Sequence, residues 1–360
     1  MSTCPSSAPG PFRFVSLAWI VGLVAACAMG GDQMAVEVVP ASVALDIPER
    51  PTPPTTPPTT TPPPTSTSAA VAAVSNRAAP LPLAVLEVPG AVWNGRIVVA
   101  GGLFEGGGES DVTYFYDPAT DSWEFGPKLP TGIHHTTLGV LGDRLYLVGG
   151  YEAGDFGRSP VSAVWSLGPD DDEWAPEPEL DTARGALALA STGDRLIAIG
   201  GVGPDWEQLA TTEILEVGAP AWAPGPDLLE AREHHAAVAV GERVYAIGGR
   251  LATLDTNKAT VEVLDGDTWQ EAPPLNHARG GIAATVVDDM PCVAGGEEPD
   301  RTIGSIECLI GDAWELVAEM EVPRHGVAFA YLDGAFRVIA GGPLPNYSAS
   351  TVHEVIPLER

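Results

Sequence analysis

The sequence is short of positive charge. Its 360 residues hold 18 Lys and Arg against 48 Asp and Glu, a formal net charge of −30. A surface of that sign repels phosphate backbones, which excludes general binding of nucleic acid or anionic lipid. Long apolar runs are lacking as well. Residues 14–26, FVSLAWIVGLVAA, form an uncharged apolar stretch, but a spanning helix needs about 20 such residues. Nor does the chain carry a phosphate loop, a nucleophile–base pair or a cluster with metal-ligand spacing, so no cofactor and no metal are expected. Cysteines number only 4, whereas Gly (41) and Pro (35) are plentiful, a balance that favours many turns over long helices.

The apolar stretch follows Arg13 and has the form of an export signal's hydrophobic region. It ends in Val24-Ala25-Ala26-Cys27, which resembles the bacterial lipobox. That resemblance implies cleavage before Cys27 and a diacylglyceryl group on its thiol, with 1–26 removed as a signal peptide. The alternative is an ordinary secretory signal with an incidental cysteine. From Pro51 the chain reads PTPPTTPPTTTPPPTSTS. Pro at this density favours polyproline II and cannot form a core. Residues 27–68 are therefore read as a lipid-anchored tether holding the rest clear of a membrane, or as an inert linker. The expected location is the bacterial cell envelope, with membrane attachment through the lipid alone.

Beyond residue 69 the chain repeats itself. Six apolar runs end in paired glycines: RIVVAGG, RLYLVGG, RLIAIGG, RVYAIGG, MPCVAGG and FRVIAGG. The pairs begin at Gly101, Gly149, Gly200, Gly248, Gly295 and Gly341, separated by 48, 51, 48, 47 and 46 residues. Five of them are followed by a tryptophan: Trp123, Trp174, Trp222, Trp269 and Trp314. Between pair and tryptophan lies another strand, clearest in Thr113-Tyr114-Phe115-Tyr116-Asp117.

This pattern resembles the Kelch family. The resemblance implies an all-β fold: a six-bladed Kelch-type β-propeller over 69–360, each blade four antiparallel strands a to d, with the glycine pair ending strand b and the tryptophan on strand d. The sixth unit stops after strand c, at STVHEVIP, while an orphan segment before the first glycine pair lies where a strand d belongs. Residues about 72–82 are expected to complete blade six, with Ser75 or Asn76 near the tryptophan position.

Cys4 leaves with the signal. Cys292 and Cys308 fall on strands b and c of blade five, antiparallel neighbours in the expected fold, so they form either a cross-strand disulfide or two buried thiols. Neither stands beside a His, which argues against a catalytic thiol. Strand parity places the d–a and b–c connections on one face of the disc. The d–a connections carry His134, His135, His234, His235, His277 and His325 with Arg184, Arg232, Arg279 and Arg324; in the first blade Ala84 and Val85 stand there instead. Two readings compete. His134, Arg184, Arg232, His234, Arg279, Arg324 and His325 ring one mouth of the axial channel and bind an anionic or sugar-like ligand, or the arginines pair with carboxylates of neighbouring blades. A metal held by the two His-His pairs is disfavoured, because a third blade separates them and adjacent strand residues point opposite ways. The b–c loops add carboxylates from Glu105 to Asp300, Asp155 among them, as a recognition rim or a solvated one.

Function is then expected to be that of a monomeric module binding a protein or glycan through this face. The alternative is a periplasmic sugar-modifying enzyme of the sialic-acid mutarotase type, an activity that some exported Kelch propellers have. The short connections, and the absence of a nucleophile–base pair, favour binding.

Overall fold

The computed structural model describes residues 76–154 and 158–358. The expected signal peptide, the tether, Cys27 with its lipid and Asp155 lie outside the described residues.

Six four-stranded antiparallel sheets follow one another along the chain. In strand order a to d, blade 1 is Gly90–Trp93, Arg96–Ala100, Thr113–Asp117 and Ser122–Phe125. Blade 2 is Thr137–Leu141, Arg144–Val148, Val164–Leu167 and Ala175–Pro176. Blade 3 is Ala188–Ser191, Arg195–Ile199, Thr212–Glu216 and Ala223–Pro224. Blade 4 is Ala236–Val240, Arg243–Ile247, Val261–Asp265 and Thr268–Ala272. Blade 5 is Gly280–Val287, Met290–Glu297, Ser305–Ile310 and Ala313–Glu319. Blade 6 takes Ala328–Leu332, Ala335–Ile339 and His353–Pro357 from the C-terminal end and Asn76–Arg77 from the N-terminal end. Asn76 faces Val355 in the register, the place that Glu124 takes opposite Phe115 in blade 1; the tryptophan place, six residues before the buried leucine, falls on Ser75, outside the described residues.

Strand b reads as an unbroken apolar run because it is central in its sheet and covered by blades on both faces; Ile97, Val98, Val99 and Ala100 are all fully buried. Strand a lies innermost, and each strand a adjoins the next around the circle, blade 6 back to blade 1 included. Convergence there selects small residues: a Cβ at Gly90 would sit 2.7 Å from that of Ala328.

Two repeated staples join blade to blade. Each of the five strand-d tryptophans donates its indole N–H to a carbonyl just past strand d of the preceding blade. Trp222 bonds Pro178 at 2.9 Å, Trp269 bonds Pro226 at 2.9 Å, Trp314 bonds Pro273 at 2.8 Å and Trp174 bonds Pro127 at 3.2 Å. Trp123 bonds Ala79, just past the N-terminal strand, at 2.8 Å. The second staple explains the glycine pairs. The first glycine turns to positive φ where a Cβ would strike the carbonyl entering the next blade, 2.5 Å from Ile133 at Gly101 and 2.6 Å from Arg184 at Gly149. The second donates its N–H to that carbonyl, as Gly150 does to Arg184 at 2.9 Å. In blade 6 Ala340 (φ 58°) takes the first place and Gly341 the second, so the expected pair Gly341–Gly342 lies one residue late; Gly341 bonds Val85 at 2.9 Å, and both staples run through the N-terminal segment. Cys292 and Cys308 face each other across strands b and c of blade 5 and form a disulfide.

Candidate functional site

The site is built on the d–a connections. Two residues past each of the five indole-accepting carbonyls a leucine is buried, Leu81, Leu129, Leu180, Leu228 and Leu275, and Met320 takes the same place in the sixth connection. Four residues on stand Val85, Ile133, Arg184, Arg232, Arg279 and Arg324. The four arginines are fully buried. Arg184 donates to Gly200 O at 3.0 Å, Thr211 O at 2.9 Å and Glu213 at 2.6 Å. Arg324 donates to Val352 O at 3.1 Å and Glu354 at 2.9 Å; Arg232 pairs with Glu262 and Arg279 with Glu307. Each glutamate also accepts from the backbone of the preceding connection, Glu262 from Leu229 N at 2.7 Å and Glu230 N at 3.3 Å. In blades 1 and 2, where Val85 and Ile133 replace the arginine, Tyr114 and Trp165 occupy the register of the glutamate. Charge and countercharge are exchanged together, as a buried ion pair requires. The expectation that Arg184, Arg232, Arg279 and Arg324 line a binding mouth is therefore corrected: both terminal nitrogens of each guanidinium are engaged inside its own blade, and the buried Nε of Arg232 and of Arg279 faces no partner among the described residues.

The next residue of each connection pairs with its blade's own b–c loop. His134 bridges Tyr151, Gly185 bridges Val202, Glu233 bridges Arg250 and His325 bridges Gly342, while Leu86 faces Leu103 and Gly280 faces Glu297. This brings both sets of loops to one face, as parity predicts.

One residue further the chain turns left-handed in every blade: Glu87 (φ 52°), His135 (50°), Ala186 (51°), His234 (50°), Gly281 (69°) and Gly326 (57°). Their peptide groups bond head to tail around the axis. His135 N donates to Glu87 O at 3.2 Å, Ala186 N to His135 O at 3.0 Å, His234 N to Ala186 O at 3.0 Å, Gly281 N to His234 O at 2.9 Å and Gly326 N to Gly281 O at 2.8 Å; Val88 N closes the circle on Gly326 O at 3.4 Å. The side chains of this ring stand over the channel. His135 and His234 are 4.8 Å apart, ring centre to ring centre, and His135 Nε2 is 3.7 Å from Glu87 Oε2. The intervening blade does not separate them because it contributes only Ala186, and Gly326 makes room for Glu87, whose Cδ a Cβ there would approach to 2.8 Å. His134, expected at the mouth, instead packs on Tyr151 with ring centres 5.5 Å apart and is almost wholly buried; its neighbour His135 faces the axis.

Around this ring lies a polar cavity of about 170 Å³. Arg250 bridges Glu297 at 2.8 Å and Glu233 at 3.4 Å. His325 Nδ1 lies 3.3 Å from Glu87 and 3.6 Å from Glu297, and His234 Nδ1 lies 3.1 Å from Glu233. Burial works against the charged form of Glu87, but His135, His325 and His234 together hold it well below the ordinary carboxylate value. Burial likewise opposes protonation of His325, yet Glu87 and Glu297 raise it above the ordinary imidazole value. His135 is pushed well below that value by burial, and His134 down to about 4 for the same reason. At the edge of the cavity Trp206 stacks on Tyr151 at 6.0 Å, and Arg158, which lines the cavity, sets its guanidinium 4.6 Å from the Tyr151 ring centre.

Glu87, Glu233, Arg250, Glu297 and His135 carry this site without having been among the expected ligand-binding residues. His277 lies apart, exposed on the rim of a different hollow of about 380 Å³ along blade 5 and the connection that enters it.

The Kelch motif model matches residues 88–130 and 231–276. Kelch-like protein 36 of Bos taurus is 30% identical over 151 residues, covering 41% of this chain and 23% of that protein. Kelch-like protein terF of Aspergillus terreus is 34% identical over 98 residues, covering 26% and 21%. The matches thus span under a quarter of these relatives' own length. Among solved structures, one titled "Structure of YjhT" superposes with a TM-score of 0.69 over 78% of this chain and 97% of that one; at 16% identity it shows the fold alone.

Proposed function

We propose that this chain, a Kelch-repeat β-propeller, is an exported binding module that grips a protein partner with its d–a/b–c face. The observation that carries this reading is a mismatch of scale. The polar cavity measures about 170 Å³, below the roughly 300–1,000 Å³ typical of small-molecule sites. It has room for one side chain. Around it the b–c loops expose Trp206 (43%), Leu251 (38%), Leu344 (66%) and Tyr347 (68%). Aromatic and aliphatic groups of this kind anchor protein interfaces. A partner would rest on the loop tips and insert one hydrogen-bonding side chain between Arg250, Glu233 and Glu297.

Photo-crosslinking in the native host tests this. A crosslinker at Trp206 or Tyr347 is expected to trap one and the same protein, and a crosslinker at Asp312, on the opposite c–d turn, to trap none. Equal or absent adducts at all three positions contradict it.

Export and tethering rest on the leader, Cys27 and the Pro/Thr-rich segment. The Cys292–Cys308 disulfide supports them, since such bonds persist in oxidising compartments. Cys27→Ala is expected to move the protein from the membrane to the soluble fraction; unchanged fractionation contradicts the lipid anchor.

A second reading, the sugar mutarotase, has one observation in its favour: Glu87, His135 and His325 place proton donors and acceptors on one small cavity. Mutarotation of a hexose or of sialic acid faster than in buffer would establish it; a rate equal to buffer removes it.

A further inference from the structure

We infer that Glu87, His135 and His234 form a binding site for a borderline divalent metal of the Zn²⁺ class on the propeller axis. The inference stands apart from the protein-binding reading and survives its failure. The ligand-type atoms of these three residues lie within 4.8 Å of one another. Zn–N bonds of about 2.0–2.1 Å place tetrahedral ligands roughly 3.3 Å apart, so small side-chain rotations complete the set. Two imidazoles and one carboxylate suit zinc and leave a position open for water or for a partner's side chain.

The backbone supplies the second argument. All six ring positions are left-handed, and blades 5 and 6 use the residue that fits, glycine. Blades 1, 2 and 4 instead keep Glu87, His135 and His234 at φ 50–52°, a conformation that costs non-glycine residues about 1 kcal/mol or more each and marks functional positions. Ala186 shows that strain alone does not make a ligand. What distinguishes the other three is that every one is a metal-ligating type and that all three converge.

Outer contacts orient the donors. His134 contacts His135 Nδ1 while His135 Nε2 faces Glu87 Oε2 at 3.7 Å, and Glu233 Oε2 lies 3.1 Å from His234 Nδ1, close enough for an ion pair but without hydrogen-bond geometry. Carboxylate–histidine pairs of this kind support metal ligands. A rival trio, Glu87, Glu297 and His325, shares Glu87, but His325 Nε2 is engaged with Leu344 O at 3.1 Å and its Nδ1 already lies between two carboxylates. His325 acts as the partner that fixes Glu87.

The ring geometry offers a clean test. Glycine fits positions 135 and 234 as it does 281 and 326, so His135→Gly and His234→Gly remove ligands without disturbing the backbone. Calorimetric titration of the purified full chain with Zn²⁺ is expected to show one site of micromolar affinity or tighter. Each glycine variant should weaken it at least tenfold with Tm no lower than the parent's, and exposed His277→Ala should leave it unchanged. Co²⁺ on the unaltered protein should give the intense visible absorption of a four- or five-coordinate centre. No saturable site, an affinity indifferent to both glycine variants, or only the weak absorption of six-coordinate Co²⁺ overturns the inference.

Discussion

Replacing Glu262 by Ala removes one side chain with three duties. It neutralises the fully buried Arg232 and accepts from Leu229 N at 2.7 Å and Glu230 N at 3.3 Å. Breaking a buried pair from one side costs about 3–5 kcal/mol, out of a total stability on the order of 5–15 kcal/mol. At roughly 2–4 °C per kcal/mol for a large domain, Tm should fall by about 6–20 °C. Arg232→Ala should cost a similar amount, because it strands the carboxylate. Blade 1 suggests the rescue: there Val85 and Tyr114 hold the same two places. The double variant Arg232→Val with Glu262→Tyr should therefore regain most of the loss. Thermal and urea unfolding of both single variants and the double variant measure the coupling. Single variants within 1 kcal/mol of the parent, or a double variant that simply adds the two losses, would refute the assignment of these arginines to the scaffold.

Acid should weaken the closure of blade 6. Burial lowers His353 from 6.5 to about 4 in the fold, despite the Ala79 carbonyl on Nδ1 and nearby Asp121 and with Arg337 and Arg324 opposing protonation. The unfolded chain then takes up the proton first. Stability is full above pH 6.5 and falls between 6.5 and 4, by up to about 3 kcal/mol at 1.36 kcal/mol per unit; His353→Gln should flatten that part of a urea-midpoint profile, and an unaltered profile would refute it. Reducing Cys292–Cys308, which closes a loop of separation 16, should lower stability by about 3 kcal/mol in urea unfolding; no loss would show the bond to be unimportant. Deleting residues 1–79 removes strand d of blade 6 and the acceptor of Trp123; the exposed edge should lower Tm and promote association, and a monomer of unchanged Tm would contradict the clasp.

The architecture was legible because its determinants are local and repeated. A glycine recurs wherever strand b donates to the next blade's carbonyl, preceded by a second glycine in five blades and by Ala340 in the sixth, and a tryptophan wherever the indole staple falls, so spacing alone counted the blades and exposed the orphan strand. The site was less legible for three physical reasons. Arginine was the most visible cation in four of the six connections, but its partner glutamate is identified only by the register between strands b and c. Strand alternation says only that one histidine of each pair faces the channel, not which; the left-handed residue decides it, and at φ 50° that is His135 in the first pair and His234 in the second. Glu87 went unnoticed because blade 1 lacks the arginine. Counting six residues from each buried leucine, Leu81 to Glu87 as Leu129 to His135 and Leu228 to His234, would have found it.

Everything proposed for the mouth depends on its being rigid before any ligand arrives. Residue-resolved hydrogen exchange of the ring amides tests this most directly. The amides of His135, Ala186, His234, Gly281 and Gly326, hydrogen-bonded around the axis at 2.8–3.2 Å, should exchange only with global unfolding, as slowly as those of the strand-b core. Exchange of these amides within minutes, at the rate of the exposed b–c loops, would show a mouth that assembles only on binding and would contradict the account.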